Sequence, residues 1–337
     1  MTTAAADLHR DSLVIDSHND TAVTLISFGH FDFDGEPTDG PVTWTSRLRE
    51  KPRKPGPQVT LPLLRDSGID VAYFAIDTTG AWGNHLLYVM DSHGYLISQI
   101  RDHDDQIRIV TSCADIDANR AEGRIGALLT VENSEVLERS VYVLDALHEM
   151  GVRSLTITHS SRTWAGDGCE VEGGGGLTAF GRQVVRRMEE LGMLVDVSHL
   201  NDAGFWDVLD TATKPVVASH SCCRALCGDL RNLTDQQLRR LGESGGGVGI
   251  TYVPWFIDTE KEPTLERLVD HILHALEQAG EDAVGLGSDF DGGGDLLTDA
   301  SQVPLITEAL VRRGVGEEVI VKVLGTNHRR LLEATIG

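Results

Sequence analysis

Short apolar runs alternate with stretches of helical period from Leu61 to the carboxyl end. The runs predict strands over 13–17, 69–76, 125–131, 153–158, 193–198, 215–219, 247–253 and 283–288. The intervening periodicity predicts helices over 85–101, 136–150, 178–191, 202–211, 234–243 and 264–279, with a closing pair over 304–313 and 316–334. Strand–helix alternation repeated in this way favours one α/β domain over 1–337, a closed parallel (β/α)8 TIM barrel. Strands buried on both faces explain continuous runs such as Gly68–Ile76. The competing arrangement, an open doubly wound sheet, would carry a glycine-rich phosphate loop, and neither G-x-G-x-x-G nor a Walker A motif occurs. The glycine groups at 173–176 and 245–247 read as turns or mobile loops. Residues 29–60, rich in Gly, Pro, Asp and Arg, read as a long loop with one helical turn, on the catalytic face of such a barrel.

Six apolar runs finish on a polar side chain able to bind metal or move protons. They are Val14–Asp20, Ala127–Glu132, Leu155–His159, Leu194–His199, Val216–His220 and Asp282–Gly292. In a barrel, only the carboxyl ends of strands face one cavity, so these endings predict a shared catalytic mouth. His18 and Asp20, two apart on extended chain, point to the same side. The expected ligands are His18, Asp20 and Glu132 for one ion and Glu132, His199 and His220 for another, with zinc preferred and other divalent metals allowed. Many binuclear barrels bridge their ions with a carbamylated lysine. The five lysines here (51, 54, 214, 261 and 322) lie in predicted loops or helices or, for Lys214, at the wrong end of a strand, so Glu132 is the expected bridge. A hydroxide between the ions would form near neutral pH and attack an electrophilic carbon. The nine other histidines (9, 30, 85, 93, 103, 148, 271, 274 and 328) end no strand and read as structural.

Three more residues complete this expectation. Asp289 either ligates a metal weakly or stands free as general base and then acid, the second reading being preferred. His159 is expected to donate to the developing oxyanion. Arg231 either clamps a substrate carboxylate or forms a surface salt bridge, and the Asn232-Leu233-Thr234-Asp235 that follows suits a helix cap.

A formal charge of −23 excludes a phosphate-binding surface and an anionic membrane as partners. No apolar run approaches the ~20 residues of a membrane span, and residues 1–16 lack the basic and apolar regions of a signal peptide, so cytoplasm is the expected compartment. Cys113, Cys169, Cys222, Cys223 and Cys227 form an odd set without C-x-x-C spacing, which indicates buried thiols. A nucleophilic Cys222 or Cys223 beside His220 is the weaker alternative.

These residues resemble the membrane dipeptidase (renal dipeptidase) family of zinc peptidases, in its soluble bacterial branch. The resemblance runs through Val14–Asp20, Gln58–Arg65, Gly176–Gly181, Leu194–His199, Ala218–Ser221, Leu230–Asp235, Gly287–Gly292 and Leu324–Asn327. It implies an amidohydrolase-like barrel and two zinc ions bridged by Glu132, with His18, Asp20, His199 and His220 as the other ligands. It also implies His159 at the tetrahedral intermediate, Arg231 in substrate binding, Asp289 in proton handling, and a homodimer. The implied substrates are dipeptides, including those with a D-residue at the carboxyl side. Another small amide, lactam or lactone, and a catalytically silent metal-binding barrel, are the alternatives. The chain departs from the family at Asn133-Ser134, where two glycines are usual, at Ser160, where Asn or Cys is usual, and around Gly249–Pro254, where the family has a pocket tyrosine. Asn tolerates left-handed backbone angles, whereas Ser134 adds bulk beside the bridging ligand.

Overall fold

A computed structural model describes residues 2–27, 31–38, 56–79, 81 and 83–337. Its strands are β1 (Ile15–Asn19), β2 (Val71–Asp77), β3 (Ile107–Ile109), β4 (Ile125–Glu132), β5 (Val152–Thr156), β6 (Leu194–Asp196), β7 (Val217–Ser221), β8 (Gly247–Ile250) and β9 (Val284–Leu286). All pairings are parallel, in the order β2-β1-β9-β8-β7-β6-β5-β4-β3, and a further β2–β4 pairing closes eight of the strands into the expected barrel. β3 is the ninth. It lies outside the ring, on the lower half of β4 (Ile107 against Ile125), on the side where the upper half pairs β5.

Crossover helices wrap the ring, and their ends follow local chemistry. Thr178 caps Ala179–Leu191 and Asn201 caps Asp202–Thr211, each accepting an N–H from the first turn. Thr234 and Gln237 form a capping box on Asp235–Glu243, so the Asn-Leu-Thr-Asp cap expected from sequence is present. The largest apolar cluster fills the space between helices and strands, with Leu129, Val195, Ile250 and Leu286 from the sheet against Val184, Leu238 and Ile272 from the helices. Among the described residues no helix is long and apolar enough to cross a membrane.

Several boundaries differ from expectation. The predicted helix over 136–150 is a 3-10 turn at Ser134–Leu137 and then a helix over Tyr142–Glu149. The predicted helix over 316–334 runs through a π turn at Lys322–Thr326. Helices over Thr3–Asp11, Thr21–Ser27, Leu61–Ser67 and Cys113–Ala121 add to the expected set. Of the predicted loop 29–60, residues 29, 30 and 39–55 lie outside the described residues. Both glycine groups contain turns, as one of the two expected readings had it: Gly174 N–H donates to Val171 O at 3.1 Å and Gly245 N–H to Gly242 O at 3.0 Å. A Cβ at Gly176 would run into the Asp207 carboxylate, and Gly247 begins β8.

Candidate metal centre

The carboxyl ends of β1, β4, β6, β7 and β9 deliver their polar residues to one buried site. Glu132 is the common neighbour. Its Oε1 lies 2.8 Å from His199 Nε2 and 3.3 Å from His220 Nε2, while its Oε2 lies 3.8 Å from His18 Nε2. His18 Nε2 is also 3.6 Å from Asp20 Oδ2 and 4.0 Å from Asp289 Oδ1. Three sets, His18/Asp20/Glu132, Glu132/His199/His220 and His18/His220/Asp289, each bring one ligand atom per residue within 4.8 Å of the others. The first two sets are the two ligand groups expected from sequence.

The backbone reaches this geometry through uncommon angles. β1 and β9 are tied past their ends: Asp289 N–H donates to His18 O at 3.0 Å, and Asp20 N–H donates to Phe290 O at 2.8 Å. Asp289 sits at φ 60° and His199, three residues beyond β6, at φ 66°. Non-glycine residues avoid this region unless their surroundings hold them there, and such residues concentrate at functional sites. Gly292 leaves no room for a side chain, since a Cβ there would strike the carboxylates of both Asp20 and Asp289.

Burial and crowded charges set the electrostatics. Burial holds His199 and His220 well below the ordinary histidine range, helped by Arg231 and neighbouring imidazoles. Burial also raises Glu132 well above its usual value, and the nearby acids Asp20, Asp77 and Asp289 add to this against His18. Asp289 is pushed up to about 8, mainly by burial. For His18, burial lowers the value, but Glu132, Asp20 and Asp289 together outweigh it and take it to about 10. His18 Nε2 and Asp20 Oδ1 are buried with no hydrogen-bond partner, and the Nε2 atoms of His199 and His220 face each other at 3.0 Å. Buried imidazole nitrogens converging with carboxylate oxygens suit divalent cations, which bind neutral imidazoles, take the place of the His18 proton and offset crowded acids. The residues present therefore fit a metal pair.

The sequence model of the family described as membrane dipeptidase (peptidase family M19) matches residues 2–336. The chain belongs to that family. An uncharacterized dipeptidase of Schizosaccharomyces pombe is 30% identical over 348 residues, covering 98% of this chain and 82% of that protein. Dipeptidase tcpJ of Claviceps purpurea is 34% identical over 250 residues, or 72% of this chain, and the match spans only 56% of that relative's length. Among solved structures, a metallopeptidase from Rhodobacter sphaeroides, liganded with a phosphinate mimic of the dipeptide L-Ala-D-Ala, superposes with a TM-score of 0.83 at 26% identity. That match covers 96% of this chain and 100% of the other.

Within this member of the membrane dipeptidase family, the remaining predicted residues surround the centre. The His159 ring stacks on His199 with centroids 4.1 Å apart, three residues beyond the end of β5 rather than on it. Arg231 is buried, which removes the surface salt bridge reading. Its Nη1 donates to Ser221 Oγ at 2.7 Å and its Nη2 to His220 O at 2.5 Å. Those two bonds use two of the five guanidinium N–H donors, and the Nε–H on the side edge has no partner. The departures from the family pattern are accommodated. Asn133 adopts φ 88° and caps the following turn through Oδ1, and Ser134 is buried. Tyr252 is a core residue edge-on to Phe290. Cys222 and Cys223 are fully buried, with burial holding the first thiol well above its usual range and the second at about 12, so neither is a nucleophile.

One neighbour escaped the sequence reading. Asp77 ends β2 in register with Glu132 and groups with Glu132 and His159 within 4.8 Å. Burial raises its carboxyl, opposed by His159. The signal was the same as elsewhere, an apolar run (Tyr73-Phe74-Ala75-Ile76) closing on an acid, but the predicted strand stopped one residue short.

Proposed function

We propose that this chain is a metal-dependent dipeptidase, one barrel domain that holds two divalent cations, zinc foremost. His18, Asp20 and Glu132 would hold one ion, and Glu132, His199 and His220 the other. The observation that carries this reading is the convergence of His18, Asp20, His199 and His220, all buried, on the Glu132 carboxylate, with His18 Nε2 left without a hydrogen-bond partner. Bound there, the ions supply Lewis acidity toward a carbonyl and bring the pKa of a water close to neutral. The other steps belong to side chains. Arg231 offers the side edge of its guanidinium to the terminal carboxylate of the dipeptide. Asp289 Oδ1 takes a proton from the attacking water and returns it to the departing amine. His159 donates an N–H to the oxygen that gains charge. The phosphinate dipeptide mimic held by the Rhodobacter sphaeroides structure supports this choice of substrate. Five free, buried thiols suit a reducing compartment, so a cytoplasmic location is part of the proposal, as is the homodimer implied by the family.

The test is a panel of L,L and L,D dipeptides assayed with loaded, chelator-stripped and zinc-restored protein. Turnover that disappears on stripping and returns with zinc is expected. No turnover of any member by loaded protein rejects the dipeptidase reading, and turnover of a lactam, lactone or other amide instead moves the chain to that neighbouring chemistry.

A further inference from the structure

Beneath the ligands lies a layer of hydroxyls that none of these roles uses. Ser219 Oγ is 2.5 Å from Asp196 Oδ2, 2.8 Å from His220 Nδ1 and 3.5 Å from His18 Nδ1. Asp196 is buried and accepts from four donors. The N–H groups of Ser198 (2.9 Å) and Ser219 (3.0 Å) reach Oδ1, and the hydroxyls of Thr156 (2.7 Å) and Ser219 reach Oδ2.

The protons can then be counted. A hydroxyl has one proton and two lone pairs, and a carboxylate only accepts. The shortest contact of Ser219 is to the carboxylate, so its proton goes to Asp196 and its oxygen is left to accept. What faces that oxygen from His220 is therefore Nδ1–H, which leaves the lone pair on Nε2. This is the nitrogen 3.3 Å from Glu132 Oε1. His18 turns its Nδ1 to the same oxygen and its Nε2 to Asp20 and Glu132, and the two rings stack with centroids 3.6 Å apart. His199 stands outside this arrangement, its Nδ1 facing Ser160 Oγ at 3.4 Å.

We infer that Asp196 and Ser219 form a positioning relay that holds His220 as its Nδ1–H tautomer and takes the Nδ1–H of His18 on the same oxygen, so that one hydroxyl turns the Nε2 of both rings toward the metal centre. Second-layer partners of this kind orient imidazole ligands and raise their basicity. The inference rests on the metal-centre reading above.

Asp196→Asn tests it with an isosteric change. The amide oxygen keeps the Ser198 and Ser219 N–H groups, while the new NH2 donates toward Ser219 Oγ. The Ser219 proton is then redirected to His220 Nδ1, and the imidazole proton moves to Nε2. In metal-free protein, nitrogen–proton correlation spectra should show His220 passing from Nδ1–H to Nε2–H. Zinc affinity in a chelator competition should fall about 10–100-fold, with the metal-free melting temperature little changed. Ser219→Ala, which removes the shared acceptor and leaves Asp196 three of its donors, should weaken zinc binding similarly and carries the test if the first variant does not fold. An unchanged tautomer in Asp196→Asn, or zinc affinity within about twofold of wild type in both variants, overturns the relay alone. Wild-type protein that takes up no zinc overturns the metal-centre reading and the relay together.

Discussion

His271 is held neutral by geometry, and the stability this confers has a defined pH window. It lies on the helix Leu265–Ala279, fully buried, with Nε2 3.0 Å from Ile257 O and Nδ1 3.1 Å from Cys223 N. A carbonyl only accepts and an amide N–H only donates, so the proton sits on Nε2 and Nδ1 is an acceptor. Protonating Nδ1 would set two N–H groups against each other. Burial accordingly lowers His271 to about 4, although the Ile257 carbonyl acts in the opposite direction. In the unfolded chain the imidazole titrates near 6.5. The folded value is the lower one, so the contribution is present above that unfolded value and is lost as pH falls through the folded one. The total loss is about 3 kcal/mol, of which about 2 kcal/mol has gone by about pH 5. Cys223 lies two residues beyond β7, so the same proton loosens the strand end that carries His220 and anchors Arg231. Urea unfolding of zinc-loaded wild type and His271→Gln at about pH 8 and about pH 5 isolates the effect, because titrations at the metal centre cancel in the difference. The stability gap between wild type and variant should shrink by about 2 kcal/mol between those two pH values. A gap that stays constant with pH would refute the neutral, locked imidazole.

Three further outcomes are expected at the mouth of the barrel. Asp289→Asn should retain zinc by metal analysis while dipeptide turnover falls about 10²–10⁴-fold, and full activity would exclude its proton-transfer role. Gly292→Ala drives a methyl group into the Asp20 and Asp289 carboxylates. It should cost at least 100-fold in kcat/KM, about 3 kcal/mol, and wild-type kinetics would show that the two acids need not sit as placed. Iodoacetamide should leave native protein unlabelled at Cys222 and Cys223 by mass spectrometry and fully active, since both thiols are buried and held protonated.

Much of the barrel and its mouth was legible because one physical pattern repeats. A strand buried on both faces reads as a continuous apolar run, and a histidine or acid at or just beyond its carboxyl end marks the cavity. His18, Glu132, His220 and Asp289 were found in this way. Asp77 obeys the same pattern and was lost only to a strand end drawn at Ile76. β3 was lost for a different reason: Ile107-Arg108-Ile109 is too short to show a period, and the helix after it, Cys113–Ala121, presents few apolar side chains. The relay at Ser219 depends on which lone pair faces which ring, and spacing along a chain does not encode that. The glycine groups are turns, one of the two expected readings, and composition did not show that Gly176 is also required by the nearness of Asp207.

The left-handed backbone at His199 and Asp289 bears on anyone wishing to transplant this centre. Copying donor side chains onto the strands of another eight-fold scaffold would aim these two wrongly, because the kinks after β6 and β9 direct them. A successful graft would have to move the bent connections, with Gly292 and the β1–β9 cross-ties, as one piece.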